Sequence, residues 1–339
     1  MTGGARGGHD PRVRDLSALP KVHLHVHLES TVRPGTLKEL AALHGVQLPE
    51  KPEAFEGFRA FADRNSLTRS CLREAEDFER IAREFCADEA AQGTRYVEVT
   101  FTAASHGERV GDLELPLNAV LKGLSEGGKE HGLQWRLILD HSRRRSIERA
   151  ERTLELAKKH EEIIGIGMAG EEKYSLAPFE KVFVRAREAG LHLIHHAGED
   201  AGPDSIREAI EIGGAERIGH GIRILEDPEL TAQTAESGFA LEVCPSSNVA
   251  LGLVPTLPQH PLPGLVEAGL RVTLNTDVPD VTGTTITDEF TRAREVFGYD
   301  DATLAKLASN AVTASFAPEE TKALLHKEID DWLKSAEDA

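Results

Sequence analysis

The sequence predicts an α/β fold, a (β/α)8 TIM barrel with additional helices after strand 1 and at the C-terminus. Three observations carry that expectation. Short apolar runs bounded by turn residues recur eight times with helical stretches between them, the pattern of βα units around a parallel sheet. Polar residues able to do chemistry gather at the ends of several of those runs, where barrel enzymes place their sites. The 339 residues exceed the roughly 250 that a plain barrel takes, which leaves length for extra helices.

In chain order the expected strands are 22–28, 96–101, 135–139, 163–168, 191–195, 217–219, 240–243 and 272–275. A helical insertion over 34–93 separates the first two and carries Phe55, Phe58, Phe61 and Phe78, expected mostly as core, with one or two lining a lid. Later connections such as SIERAERTLELAKKHEE, APFEKVFVRAREAG and DPELTAQTAESG read as helices, several closed by the glycine that commonly ends one. After the last strand, DEFTRAREVFG, TLAKLASNAVTASF and PEETKALLHKEIDDWLKSAE read as three further helices. Residues 1–15, Gly-rich and basic, are expected as a flexible tail, and 16–339 as a single barrel domain.

Composition narrows the function. Asp and Glu total 57 against 39 Lys and Arg, a net charge of −18, which disfavours nucleic acid and anionic membranes as partners and favours a small molecule. Three widely spaced cysteines, Cys71, Cys86 and Cys244, do not form a disulfide framework and suit a reducing, cytoplasmic setting. The start lacks the apolar run of a secretory signal, and no stretch reaches transmembrane length. Oligomeric state is not legible.

The chemistry lies at the strand ends. His25 and His27 share one strand face, because alternate residues point the same way. His23 shares that face but sits deeper, and is expected in the core. The fifth strand ends in His195-His196-Ala197-Gly198-Glu199, the sixth in Gly219-His220-Gly221 and the eighth in Asn275-Thr276-Asp277. Only one of His195 and His196 can face inward on an extended strand, and the register with Glu199 favours His196. Alone, an HxH pair is common, His220 suits a loop and Asp277 a helix cap. Together, two histidines from one strand, one from another and an aspartate from a third make a three-nitrogen, one-oxygen set suited to zinc.

These residues stand in segments that resemble, in order and from about residue 19 to 332, the adenosine deaminase family of the amidohydrolase superfamily: LPKVHLHVHLE, IGIGMAGEE, HHAGED, RIGHGIRILEDPEL, EVCPSSNVALG, HPLPGLVEAGLRVTLNTDVP and SFAPEETKALL. The resemblance implies one zinc ion held by His25, His27, His196 and Asp277, with Glu199, His220 and Asp277 catalytic. Zinc lowers the pKa of a bound water from about 15.7 toward 7. His220 and Asp277 are expected to orient that water and accept its proton, while Glu199 protonates the ring nitrogen beside the attacked carbon. The backbone of Gly170 is expected against purine N3. No lysine falls between Ile163 and Gly170, where binuclear relatives carry one, so a single metal is expected.

Three positions depart from the family pattern. Val278 stands where a second aspartate usually meets purine N7, Glu29 where an aspartate usually meets a ribose hydroxyl, and Gly167 where an acidic residue usually supports the site. Adenosine or a closely related aminopurine is therefore the expected substrate, with adenine, aminodeoxyfutalosine, a 7-modified purine or a non-purine amidine as alternatives. Glu29 favours adenine, since adenine deaminases carry glutamate there.

Overall fold

The computed structural model describes residues 14–49, 55 and 58–335. Eight parallel strands follow one another round the sheet in sequence order: β1 (Lys21–His23), β2 (Thr94–Phe101), β3 (Gln134–Ser142), β4 (Ile163–Ala169), β5 (His192–Ala197), β6 (Arg217–His220), β7 (Ala240–Val243) and β8 (Arg271–Leu274). Every expected strand is present. The seam between the last and the first is made beyond their regular parts, where His27 N donates to Asp277 O and Asp277 N donates to His25 O, each at 2.9 Å.

The main difference from expectation is in β1, which is regular only to His23. His25 and His27 lie past it, in an extended segment that pairs through isolated bridges Val26 with Asp277 and His27 with Thr100. Departure from the ladder there frees the chain to bring both imidazoles over the barrel mouth. A second difference is in β3, which runs on to Ser142 and carries Asp140 and His141 to the same end.

Helices of the insertion, Pro34–Leu43, Phe58–Ser70 and Ala75–Ala91, occupy the space between β1 and β2. The last begins with a capping box formed by Glu74 and Asp77, and buries Phe78, Ile81 and Phe85. Phe55 is buried apart from this core, in a small cluster with Val278 and Val281. The side chains of Phe58 and Phe61 lie outside the described residues. C-terminal helices Ile286–Phe297, Asp301–Ala314 and Glu319–Lys334 complete the shell. One apolar cluster runs from Leu16 to Trp332. Of the tail expected over 1–15, residues 1–13 lie outside the described residues, while Arg14 pairs with Asp301 at 3.0 Å. Among the described residues no helix is long and apolar enough to cross a membrane.

Candidate metal centre and active site

Four donor atoms converge at the barrel mouth. His25 Nε2 and His27 Nε2 lie 3.1 and 3.2 Å from His196 Nε2, and 3.6 and 3.3 Å from Asp277 Oδ1. An ion held tetrahedrally at zinc–nitrogen and zinc–oxygen distances sets edges of about 3.3 to 3.4 Å between its ligands, so these separations suit one. Their polarity points the same way. His25 Nδ1 sits 2.8 Å from the Glu242 carboxylate, which only accepts, so the proton is on Nδ1 and Nε2 offers a lone pair. Three imidazole nitrogens and a carboxylate oxygen this close together call for a cation shared between them.

His220 stands beside this set. Its donor atom and those of His25, His196 and Asp277 all lie within 4.8 Å of one another, so it competes with His27 for a place in the coordination shell. The hydrogen bonds around His220 argue against it. Leu262 N–H donates to His260 Nδ1 at 3.0 Å, so neutral His260 carries its proton on Nε2 and donates to Asn248 Oδ1 at 3.1 Å. Asn248 then presents its NH2 to His220 Nδ1 at 3.2 Å, which must accept, leaving the His220 proton on Nε2. A protonated nitrogen is no metal ligand. That Nε2 has no hydrogen-bond partner and lies 3.6 Å from Glu199 Oε1. Burial and the nearby His25 push the His220 pKa down to about 3, so the ring is neutral.

The backbone marks the same two strand ends. Among the described residues only His220 and Asp277 combine a side chain with a left-handed φ, 66° and 60°. Such a conformation costs on the order of 1–3 kcal/mol and is held only where the surroundings enforce it. Ser247 Oγ fixes Asp277 Oδ2 at 2.5 Å. Glycine at 219 is required by close approach, since a Cβ there would lie 2.7 Å from the His25 ring.

Glu199 is buried on the loop after β5. Its conformation is set by Glu172, whose carboxylate accepts from the N–H groups of Gly198, Glu199 and Asp200 at 2.8, 2.7 and 3.0 Å. Burial, together with the charges of Asp277, Glu172 and Asp200, raises the Glu199 pKa well above the ordinary carboxyl range. That direction favours the protonated carboxyl, the form able to give up a proton. His195 faces the other way, bonded to Gly213 O at 3.1 Å and packed on Phe183. His23 is fully buried between Glu89 and Thr276.

A cavity of about 500 Å3 opens over the cluster, lined by His27, Asp140, Gly170, His196, Glu199, Asp277 and Val278 among others. Glu29 is not on its wall. It is fully buried, accepting from Thr102 N at 2.9 Å and meeting His106 Nε2 at 3.1 Å, and it is Thr102 and His106 that reach the cavity. Val278 belongs to the apolar patch with Phe55 and Val281.

Several supporting residues escaped the sequence reading. Gly167 leaves no room for an acidic side chain, since a Cβ there would lie 2.5 Å from Ile194 O. Asp140, its register partner on β3, supplies a carboxylate instead, 3.7 Å from His27 Nδ1. Beneath the cluster lies a buried ion network. Glu242 joins His25 to Arg217 Nε at 2.6 Å, and Arg217 joins Glu98, also at 2.6 Å. Lone charged residues inside strands β2, β6 and β7 were the available signal, because an unpaired charge is rarely buried in a barrel.

A family model described as Adenosine deaminase matches residues 20–332. An aminodeoxyfutalosine deaminase of Streptomyces coelicolor is 38% identical, with 96% of this chain and 90% of that protein covered. The crystal structure of an adenine deaminase from Arthrobacter aurescens superposes with a TM-score of 0.88 at 33% identity, covering 93% of this chain and 99% of that one. An amidohydrolase from Burkholderia ambifaria with bound Zn gives 0.85 at 25% identity, covering 98% and 100%.

Proposed function

Because the chain belongs to the adenosine deaminase family and is a hydrolytic deaminase, we propose that it removes the exocyclic amino group of an aminopurine, with one zinc ion held by His25, His27, His196 and Asp277. The observation that carries this reading is the approach of those four donors at 3.1–3.6 Å beside the buried Glu199 carboxyl, whose pKa is raised. The relative with bound Zn supports the choice of metal.

The ion would supply Lewis acidity for the attack of water on the amino-bearing ring carbon. Glu199 gives its proton to the adjacent ring nitrogen, which lets the ring accept the new C–O bond. His220, with its proton on Nε2, acts as a hydrogen-bond donor toward the oxygen that gains charge. That polarity argues against the expected role of His220 as proton acceptor and leaves Asp277, held by Ser247, as the carboxylate able to take the water proton. The proton taken up by Asp277 then passes to the amino group, ammonia leaves, and the hydroxyl proton returns to Glu199, so a ring carbonyl remains. Glu172 contributes by holding the Glu199 loop, and the Gly170 backbone at the cavity wall offers itself to the purine edge.

Adenine and aminodeoxyfutalosine fit the site at least as well as adenosine, given relatives named for those activities. Ammonia release from adenosine, deoxyadenosine, adenine and aminodeoxyfutalosine, measured with added zinc, tests the proposal. Turnover of at least one is expected. No release from any of the four rejects it.

A further inference from the structure

Among the described residues five guanidinium groups line the cavity alongside carboxylates that include Asp63, Glu108, Asp140 and Glu171, in a chain whose net charge is −18. The guanidinium groups come from elements outside the donor cluster: Arg69 from the helix Phe58–Ser70, Arg109 from the helix after β2 (Ala103–Val110), and Arg144, Arg145 and Arg149 from the segment after β3. Some are neutralised locally. Arg149 pairs with Glu108 and Arg144 with Glu171. Arg69 reaches a carboxylate only at 3.8 Å, that of Glu29.

Arg109 and Arg145 have no carboxylate partner among the described residues. Arg109 is instead held in place by Leu72 O and by His106 Nδ1, the latter at 2.8 Å. The His141 ring, 2% exposed, also lines the cavity, and its Nε2 has no hydrogen-bond partner.

Neighbouring groups respond to burial first and to the guanidinium charges second. Burial and then Arg149 push the His141 pKa down to about 4. Burial, against the pull of Glu29, and then Arg69 and Arg109 take His106 to about 4 as well. Arg109 itself is lowered by burial and by the adjoining Arg73 and Arg69. A guanidinium group at a cavity wall without a carboxylate partner is stabilised when an anion seats against it.

We propose that the substrate is an anionic aminopurine nucleoside, whose carboxylate or phosphate, borne on the sugar side, seats against Arg69, Arg109 and Arg145. The inference rests on the aminopurine reading above. The amino-bearing carbon and the sugar-bearing nitrogen lie at opposite ends of a purine, so a ring turned toward His196 and Glu199 directs its sugar substituent away from the donor cluster. A planar fork of donors matches either oxyanion.

The test compares kcat/KM of the zinc-loaded enzyme for adenosine, adenosine 5′-monophosphate and adenosine-5′-carboxylic acid, with product binding measured by calorimetry for inosine, inosine 5′-monophosphate and inosine-5′-carboxylic acid. At least one anion is expected to exceed adenosine by about 10- to 100-fold, the range of one or two charge-assisted hydrogen bonds. That ratio is expected to fall toward unity in Arg145→Gln and Arg109→Gln, and to shrink with added salt. Which anion leads identifies the group as phosphate or carboxylate. Adenosine matching or exceeding both anions overturns the inference and leaves the aminopurine reading intact. If no aminopurine is turned over, that reading fails by itself, and calorimetry still decides the anion question. Failure of both inosine 5′-monophosphate and inosine-5′-carboxylic acid to bind tighter than inosine counts against the guanidinium subsite.

Discussion

Replacing Glu242 by glutamine probes how far the candidate metal centre depends on charge buried beneath it. The Glu242 carboxylate accepts from His25 Nδ1 at 2.8 Å and from Arg217 Nε at 2.6 Å, and is fully buried. Glutamine keeps the shape but loses the charge and turns one acceptor into a donor, so it serves His25 or Arg217, not both. If it serves Arg217, the His25 ring loses the partner that fixes its tautomer. Loss of such a partner typically costs about 10- to 100-fold in metal affinity. Arg217 then has only Glu98 as counter-charge, and breaking one side of a buried ion pair costs on the order of 3–5 kcal/mol. We expect Glu242→Gln to weaken zinc binding by about 10- to 100-fold in chelator competition, and to lower the urea midpoint. Arg217→Met separates the effects, because Arg217 does not touch His25; it is expected to shift the urea midpoint with a smaller change in zinc affinity. Unchanged zinc affinity in Glu242→Gln, with the protein folded, would refute the account of His25 as a ligand oriented by this carboxylate.

Other substitutions address the chemistry and the pocket. Glu199→Gln is expected to retain zinc while kcat/KM falls by about 10²- to 10⁴-fold, the usual worth of a positioned proton donor; near-normal turnover removes Glu199 from that role. With Val278 in the apolar patch beside Phe55, adenosine and 7-deazaadenosine are expected to react with kcat/KM values within a few-fold, since about 0.5–1.5 kcal/mol rides on such a hydrogen bond where one exists; a strong preference for adenosine contradicts this. Burial raises the Glu289 pKa to about 7, so between the ordinary carboxyl value and 7 the folded chain holds a proton that the unfolded chain has lost. Stability therefore falls as pH rises through that window, by up to about 3 kcal/mol at 1.36 kcal/mol per unit. Glu289→Gln is expected to flatten urea midpoints measured from pH 5 to 8, and an unaltered slope counts against the assignment.

Periodicity served the sequence reading well where the physics is local. Apolar runs between glycine-closed helices located all eight strands, including β6, whose four residues hold Ile218 between Arg217 and Gly219. His196 was separable from His195 because neighbours on a strand face opposite ways. Local pattern failed where tertiary contact decides. Nothing near Gly167 says that the Ile194 carbonyl excludes a side chain there, nor that Asp140, 27 positions earlier, stands beside it in register. Glu29 was placed at the substrate from a motif position, yet its carboxylate is turned to Thr102 and His106, contacts fixed by packing of the insertion against β2.

The His220 ring shows why such a site is not readable from its own residues. Its proton sits on Nε2 because Asn248 presents NH2 to Nδ1; Asn248 is so oriented because His260 donates to its oxygen; and His260 donates because a backbone N–H at Leu262, which has no choice of role, occupies its other nitrogen. The direction of every hydrogen bond in that chain follows from one amide that can only give. A left-handed φ of 66° at His220 then aims the protonated nitrogen at the reaction space. Chemistry at the barrel mouth is thereby set by a residue 42 positions downstream, at the start of the helix Leu262–Glu267, and substitution of His260 by phenylalanine is expected to slow turnover while leaving the four donor atoms in place.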